Sequence, residues 1–215
     1  LYENNYNPNI NKTIIYYDEM TDALINAIPD NKSNPRILDL GCGTGGLVTK
    51  IFKRFPKAHV VCVDISNVMI EIAKENLSDY DNVEFIQDDF TKMKFTSNYD
   101  AVISSVTLNY LSYESKKKLL EKVYDALNKG GVFYNADFLM PNSKYNDILN
   151  QRKFEEYLKE KDILIQNATD NEKTKKYTSS FTVLGIIKLL DSIGFKEIDL
   201  IWKYYSNGVL GGTKL

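Results

Sequence analysis

Cysteine and histidine are scarce in this chain. Its 215 residues include two cysteines, Cys42 and Cys62, and one histidine, His59. Each cysteine lies in or beside a strand-like apolar stretch, so no disulfide scaffold is expected and a reducing cytosol fits. One histidine excludes any site that needs two, and no cluster with metal-ligand spacing is visible, so no metal is expected. Long apolar runs are missing as well. None approaches the length of a transmembrane helix, and the opening residues hold no signal-peptide core. A cytoplasmic protein without a membrane partner is the expectation. The chain does not begin with Met, so its natural start is expected upstream. An excess of either charge is also lacking: 27 basic against 29 acidic residues leave a net charge of −2. That balance gives no general electrostatic reason to bind DNA. The lysine-rich runs at 116–118 and 173–176 read as solvated faces, with RNA binding the less favoured reading.

What is present is an ordinary globular composition, 43% hydrophobic and 26% charged, long enough for one self-sufficient core. Strand-like and helix-like pieces alternate, which indicates a mostly parallel sheet covered by helices. Residues 13–28 read as a leading helix, with Tyr17, Met20, Leu24 and Ile28 on one face and Pro29 at its end. A short strand at 36–40 precedes a glycine cluster. Leu47, Val48, Ile51, Phe52 and Phe55 then have helical spacing, closed by Pro56. Residues 60–63 form a continuous apolar run, as expected for a strand buried on both faces. Val68, Met69, Ile72 and Ala73 open a second crossover helix. Strands follow at 83–86 and 99–103. Leu119, Leu120, Val123 and Leu127 stripe a third helix, stopped by Gly130-Gly131 before a strand at 132–136. Residues 142–178 are polar and charged with a broken stripe. They read as an inserted helical lid within a single domain spanning 1–215, with a solvated surface helix as the open alternative. A helix at 182–193 ends at Gly194. Residues 198–205 and 209–214 flank Ser206-Asn207-Gly208, a hairpin signal. The fold class is α/β, a Rossmann-like three-layer sandwich.

The strongest local signal is Ile37-Leu-Asp-Leu-Gly-Cys-Gly-Thr-Gly-Gly46, a strand running through a glycine turn into a helix. Such a turn can take positive φ and let a ligand touch backbone. The N–H groups that follow can receive an anionic or polar ligand group. Gly41, Gly43 and Gly46 match the G-x-G-x-x-G dinucleotide pattern, which alone is weak. Asp64 ends the second strand, where an acid can accept hydrogen bonds from ribose hydroxyls; Ser66 is available to cap the helix in its place. These features fit NAD and S-adenosylmethionine alike. Asp39 separates them: an acid two residues before the glycines repels a pyrophosphate and favours a sulfonium or α-amino group. Asp88 and Asp89, after the third strand, can take the adenine amine. The terminal hairpin stands where a nicotinamide-binding half would be.

On these stretches, together with residues 61–66 and Met69, 83–90, 99–111 and 127–131 in matching order and spacing, the sequence resembles the class I S-adenosylmethionine-dependent methyltransferases over about residues 13–215. The resemblance implies a seven-stranded, mostly parallel sheet with an antiparallel last strand. Its cofactor is S-adenosylmethionine, converted to S-adenosylhomocysteine. It also implies roles. Gly41, Cys42, Gly43 and Thr44 would contact the methionine part, and Asp39 its amino group. Asp64 would hold the ribose, Ile65 and Met69 would pack on adenine, and Asp88, Asp89 and Phe90 would meet the adenine edge. Ser105 would lie near the methionine end. Tyr17, Asn109 and Tyr110 are the acceptor-side candidates. Asn109-Tyr110 replaces the His pair of many relatives, which leaves no acid–base residue assigned. No Asn-Pro-Pro-Tyr type motif follows the fourth strand, which argues against methylation of nucleic-acid bases. A small-molecule acceptor is therefore expected. Two alternatives are tRNA wobble-uridine modification with a carboxylated cofactor and a non-catalytic cofactor-binding module.

Overall fold

The computed structural model describes residues 14–161 and 182–215. Its elements run α1 (Tyr17–Asn26), β1 (Arg36–Leu40), α2 (Gly46–Arg54), β2 (His59–Asp64), α3 (Asn67–Asn76), β3 (Val83–Gln87), β4 (Tyr99–Ser105), a 3₁₀ turn (Leu108–Tyr110), α4 (Tyr113–Ala126), β5 (Leu127–Phe138), α5 (Lys144–Glu160), α6 (Val183–Ile193), β6 (Lys196–Tyr204) and β7 (Asn207–Thr213). The sheet has seven strands in the order β3-β2-β1-β4-β5-β7-β6. β1 to β5 pair in parallel, and β7 is antiparallel to both β5 and β6. The seven-stranded, three-layer expectation is met.

Burial on both faces explains why the central strands read as apolar runs. Ile37, Val60, Cys62, Ala101 and Ile103 face a cluster completed by Met20, Leu24, Leu47, Val48, Ile51 and Ile70 from α1, α2 and α3. Their neighbours Leu38, Leu40, Val61, Val63 and Val102 face the opposite cluster, with Leu119, Leu120 and Val123 of α4 and Leu189 and Leu190 of α6. Side-chain caps start four helices: Ser66 accepts from the Met69 N–H, Ser112 from Ser115, Ser143 from Asn146 and Thr182 from Gly185, each replacing a bond the first turn lacks.

Several boundaries differ from expectation. α1 is shorter than 13–28; it begins after Tyr16, whose φ of 53° breaks the helix. α4 ends at Ala126 and β5 already begins at Leu127, so Gly130-Gly131 lies inside a strand. There Gly130 takes φ 78° and its N–H donates to the Lys214 carbonyl. The hairpin turn is Tyr205-Ser206. Asn207 and Gly208 belong to β7, paired with Phe138 and Asp137. Asn207 is spent on the Ile15 carbonyl, and a Cβ at Gly208 would collide with the Leu139 side chain. Close packing, not turn geometry, asks for that glycine. The 142–178 stretch contains α5 in its first half; the rest, including the 173–176 lysines, lies outside the described residues. Among the described residues no helix is long and apolar enough to cross a membrane.

Candidate functional site

The strand order reverses between β1 and β4, which run side by side with Leu40 opposite Ser104. Ser104 Oγ donates to the Leu40 carbonyl at 2.7 Å and fixes this junction. A crevice outside the carboxyl ends of such strands is where open α/β sheets bind ligands, and the residues singled out by sequence gather there.

The glycine loop leaves β1 at Gly41. Its φ is +74°, and a Cβ there would run into the Thr107 side chain, which approaches from the segment after β4. Thr107 Oγ1 donates to the Ser105 carbonyl at 2.9 Å and to the Gly41 carbonyl at 3.3 Å. Gly43, with φ +53°, has open space above its Cα, so a ligand can reach its backbone. The Gly43 N–H donates to Asp64 Oδ2 at 3.0 Å, and the Ser66 N–H to Asp64 Oδ1 at 2.9 Å. Asp64 therefore ties the loop to the end of β2, while Ser66 caps α3. Each Asp64 oxygen keeps acceptor capacity. Thr44 is fixed by its carbonyl, which accepts from Asn76 Nδ2. α2 starts at Gly45 without a side-chain cap, which leaves its first-turn N–H groups to other acceptors. Cys42 points inward instead. It is buried, and its hydrogen bond with Cys62, together with burial, raises its thiol well above the usual value. A thiol so held is inert.

Asp39 is the outlier. It is fully buried on the α1 side of β1, and among the described residues neither carboxylate oxygen has a hydrogen-bond partner. Burial, and then the charge of Asp64, push its pKa up to about 7. The Tyr17 phenol on α1 senses the Asp39 charge and lies beside Ser105, whose buried Oγ makes no hydrogen bond of good geometry. Burial raises the Tyr17 pKa, and Ser105 works against that rise. Such buried, unsatisfied acceptors are costly unless something completes them. A cationic ligand group with N–H donors would complete this set.

On the β3 side, Ile65 is half exposed and Met69 and Phe90 are buried at the edge. Asp88 Oδ1 accepts from the Asp89 N–H. Asp89 is partly engaged: Oδ1 accepts from Thr91 N and Oγ1, and Oδ2 pairs with Lys92 at 3.0 Å. Partial burial opposes its charge, but the bonds from Thr91 and Lys92 outweigh it and lower its pKa. Asn109 and Tyr110 diverge. Asn109 is buried and hydrogen bonds to Asp137, whereas Tyr110 is exposed. Asn109 is thus oriented by a second carboxylate, which burial lifts to about 6 against the pull of Lys116, Asn135, the Phe138 N–H and Asn109.

Thr107, Lys122 and Asp137 escape a sequence reading. Lys122 Nζ donates to the carbonyls of Phe90, Thr91 and Met93 at 2.9, 3.0 and 2.9 Å and lies over the Phe95 ring. Asp137 carries the signal that marks Asp39 and Asp64, an acid at the end of an apolar strand; Lys122 carries none. Among the described residues no group of three or more His, Cys, Asp or Glu could hold a metal ion.

Known proteins bear on this geometry. A family model described as methyltransferase domain matches residues 31–190. The carboxy-S-adenosyl-L-methionine synthase of Staphylococcus epidermidis is 28% identical over 211 residues, covering 94% of this chain and 89% of that one. A malonyl-[acyl-carrier protein] O-methyltransferase of Ilyobacter polytropus is 34% identical over 119 residues, 55% of this chain and 44% of that one. The crystal structure of human N-acetylserotonin methyltransferase in complex with SAM shares the fold with a TM-score of 0.64 at 18% identity, covering 94% of this chain and 53% of that one. The dinucleotide and non-catalytic readings of the glycine loop thereby fall away: the chain belongs to the methyltransferase-domain family and is a class I enzyme dependent on S-adenosylmethionine.

Proposed function

We propose that the enzyme transfers the cofactor methyl group to a small-molecule acceptor in the cytosol, and that the sequence-derived residues hold the cofactor. The carrying observation is Asp39, a buried carboxylate with both oxygens unpartnered beside Tyr17 and Ser105. It fits the α-ammonium of a bound methionine moiety. Gly41, Cys42, Gly43 and Thr44 contribute backbone to that moiety, and Asp64 accepts from the ribose hydroxyls. Ile65, Met69 and Phe90 enclose the adenine, with Asp88 and Asp89 at its amine.

The cofactor, when bound, supplies an already activated methyl group. The chain's own residues then have two tasks, alignment and exclusion of water. Ser105 and Tyr17 border the methionine end, and Asn109, held by Asp137, fixes the opposite rim. Two acids, Asp39 and Asp64, make the crevice favourable to positive charge. A base is needed only if the acceptor arrives protonated. α5, the described part of the 142–178 segment, contributes the lid: Tyr157 senses Glu19 and Tyr16, and Lys153 reaches Tyr204 at the β6–β7 turn.

A second reading has its own support. The similarity to the Staphylococcus synthase spans nearly the whole chain, which favours a role in forming or using a carboxylated cofactor. Electrostatics argue for simple methyl transfer. A carboxylate on the sulfonium would face Asp39, while Lys50, the cation whose charge reaches Tyr17, is already held by Asp18, Asp22 and Thr21. Calorimetric titration tests the cofactor site. S-adenosylmethionine should bind saturably and NAD should not, with at least tenfold weaker binding in Asp64→Ala. Mass analysis of nucleosides carried through purification separates the two readings: a species heavier by one carboxylate would replace methyl transfer with the second.

A further inference from the structure

Past the end of β5 the chain borders a cavity of about 320 Å³. Leu139, Met140, Leu149 and Val183 give it an aliphatic side, while three asparagines, Tyr205 and the cation Lys203 make up the polar side. It opens at the same sheet edge as the glycine loop, because β5 is parallel to β1 and β4 and the β6–β7 turn returns to that edge. Leu139 follows Ala136, the register partner of Ser105, by three residues. The rise per strand residue sets the cavity roughly 10 Å from Ser105. α5 supplies one wall through Leu149 and Asn150. Lys203 is exposed on β6 and has no ion-pair partner among the described residues.

We propose that this cavity is an acceptor subsite for an aliphatic carboxylate, with the apolar body against Leu139 and Leu149 and the carboxylate on Lys203. The inference rests on the methyl-transfer reading for its purpose, and it assigns the methylated atom to the end of the acceptor remote from the carboxylate. The cavity volume falls at the lower end of those that hold small ligands, and the division of its lining into an apolar side and a polar side suits one fixed orientation. The cofactor crevice carries the opposite charge preference, through Asp39 and Asp64, so an anionic acceptor can enter the cavity only in the orientation that keeps its charge away from them.

Octanoate is the probe, with octylamine as the charge-reversed control, titrated by calorimetry into the full chain with and without S-adenosylhomocysteine. Octanoate should bind saturably and octylamine at least fivefold more weakly. Lys203→Met should weaken octanoate about fivefold, as loss of a partly exposed ion pair does, while Lys203→Arg retains it. Equal binding of the two probes, an unchanged affinity in Lys203→Met, or no octanoate binding would overturn the proposal. The S-adenosylhomocysteine titration is read separately. Its failure would count against the cofactor site, and the octanoate series would still decide the cavity.

Discussion

Asp39 sits at the end of β1 with nothing among the described residues to share its charge. Burial and the neighbouring Asp64 favour its protonated form, with a pKa of about 7 in the folded chain against about 3.9 when unfolded. The folded state therefore holds this proton more tightly. Its contribution to stability is complete below about pH 4 and is lost as pH rises through about 7. Cofactor-free enzyme should accordingly lose on the order of 2 kcal/mol between pH 5 and pH 8 from this group alone. Asp39→Asn keeps the shape, removes the charge and should flatten that slope, which urea denaturation across this pH range would measure. An equal slope in the variant would assign it elsewhere, with Asp137 the next group to test. Asp39 was legible in the sequence because it stands two residues before the glycine turn, where an acid repels a pyrophosphate and favours a cation. Asp137 was missed because its partner, Asn109, lies on a separate turn that only the fold brings beside it.

At the scale of elements, the segment after β3 is shaped by a residue far away in sequence. Lys122 on α4 fills three carbonyls of that segment with one ammonium and covers the Phe95 ring. Burial lowers its pKa, while Asp89 and Asp88 oppose the change. Lys122→Met would leave those carbonyls without a donor and loosen the backbone carrying Asp89 and Phe90. The expected result is S-adenosylmethionine binding weakened about tenfold, with smaller stability loss, of about 1 kcal/mol. Lys122→Arg should restore part of both. Calorimetry and denaturation on the two variants would check this; unchanged affinity in Lys122→Met would mean that the loop holds its shape alone. Hydrophobic periodicity located α4, yet it carries no information on what a polar face reaches across space. The same blindness misplaced the hairpin turn. Asn207-Gly208 has turn chemistry, but its amide is spent on Ile15 and its missing Cβ on Leu139. A local rule gave way to a packing demand.

For the molecule as a whole, strand–helix alternation and the order of five motifs made the sheet and its switch point legible, because a parallel sheet leaves long apolar runs separated by amphipathic helices. The helix in the first half of 142–178 was legible; the cavity past β5 was not, since its residues are brought together from α5, α6 and the β6–β7 turn and no local pattern links them. One measurement on the intact enzyme joins the parts. A ligand that binds only the folded state stabilises it by RT ln(1 + [L]/Kd), about 2.7 kcal/mol at a hundredfold excess over Kd. For a chain of this size that raises Tm by roughly 5–10 °C. In the proposed site the ammonium of S-adenosylhomocysteine needs Asp39 ionised, and with a pKa of about 7 ionising it costs about 1.4 kcal/mol more at pH 6 than at pH 8. At fixed ligand concentration the shift in Tm should therefore be larger at pH 8, by roughly 3–5 °C, and Asp39→Asn should show a small shift with no such dependence. NAD should shift neither protein. A ligand-induced shift equal at both pH values would separate Asp39 from the cofactor ammonium and leave its buried, unpartnered oxygens as a cost of the fold alone.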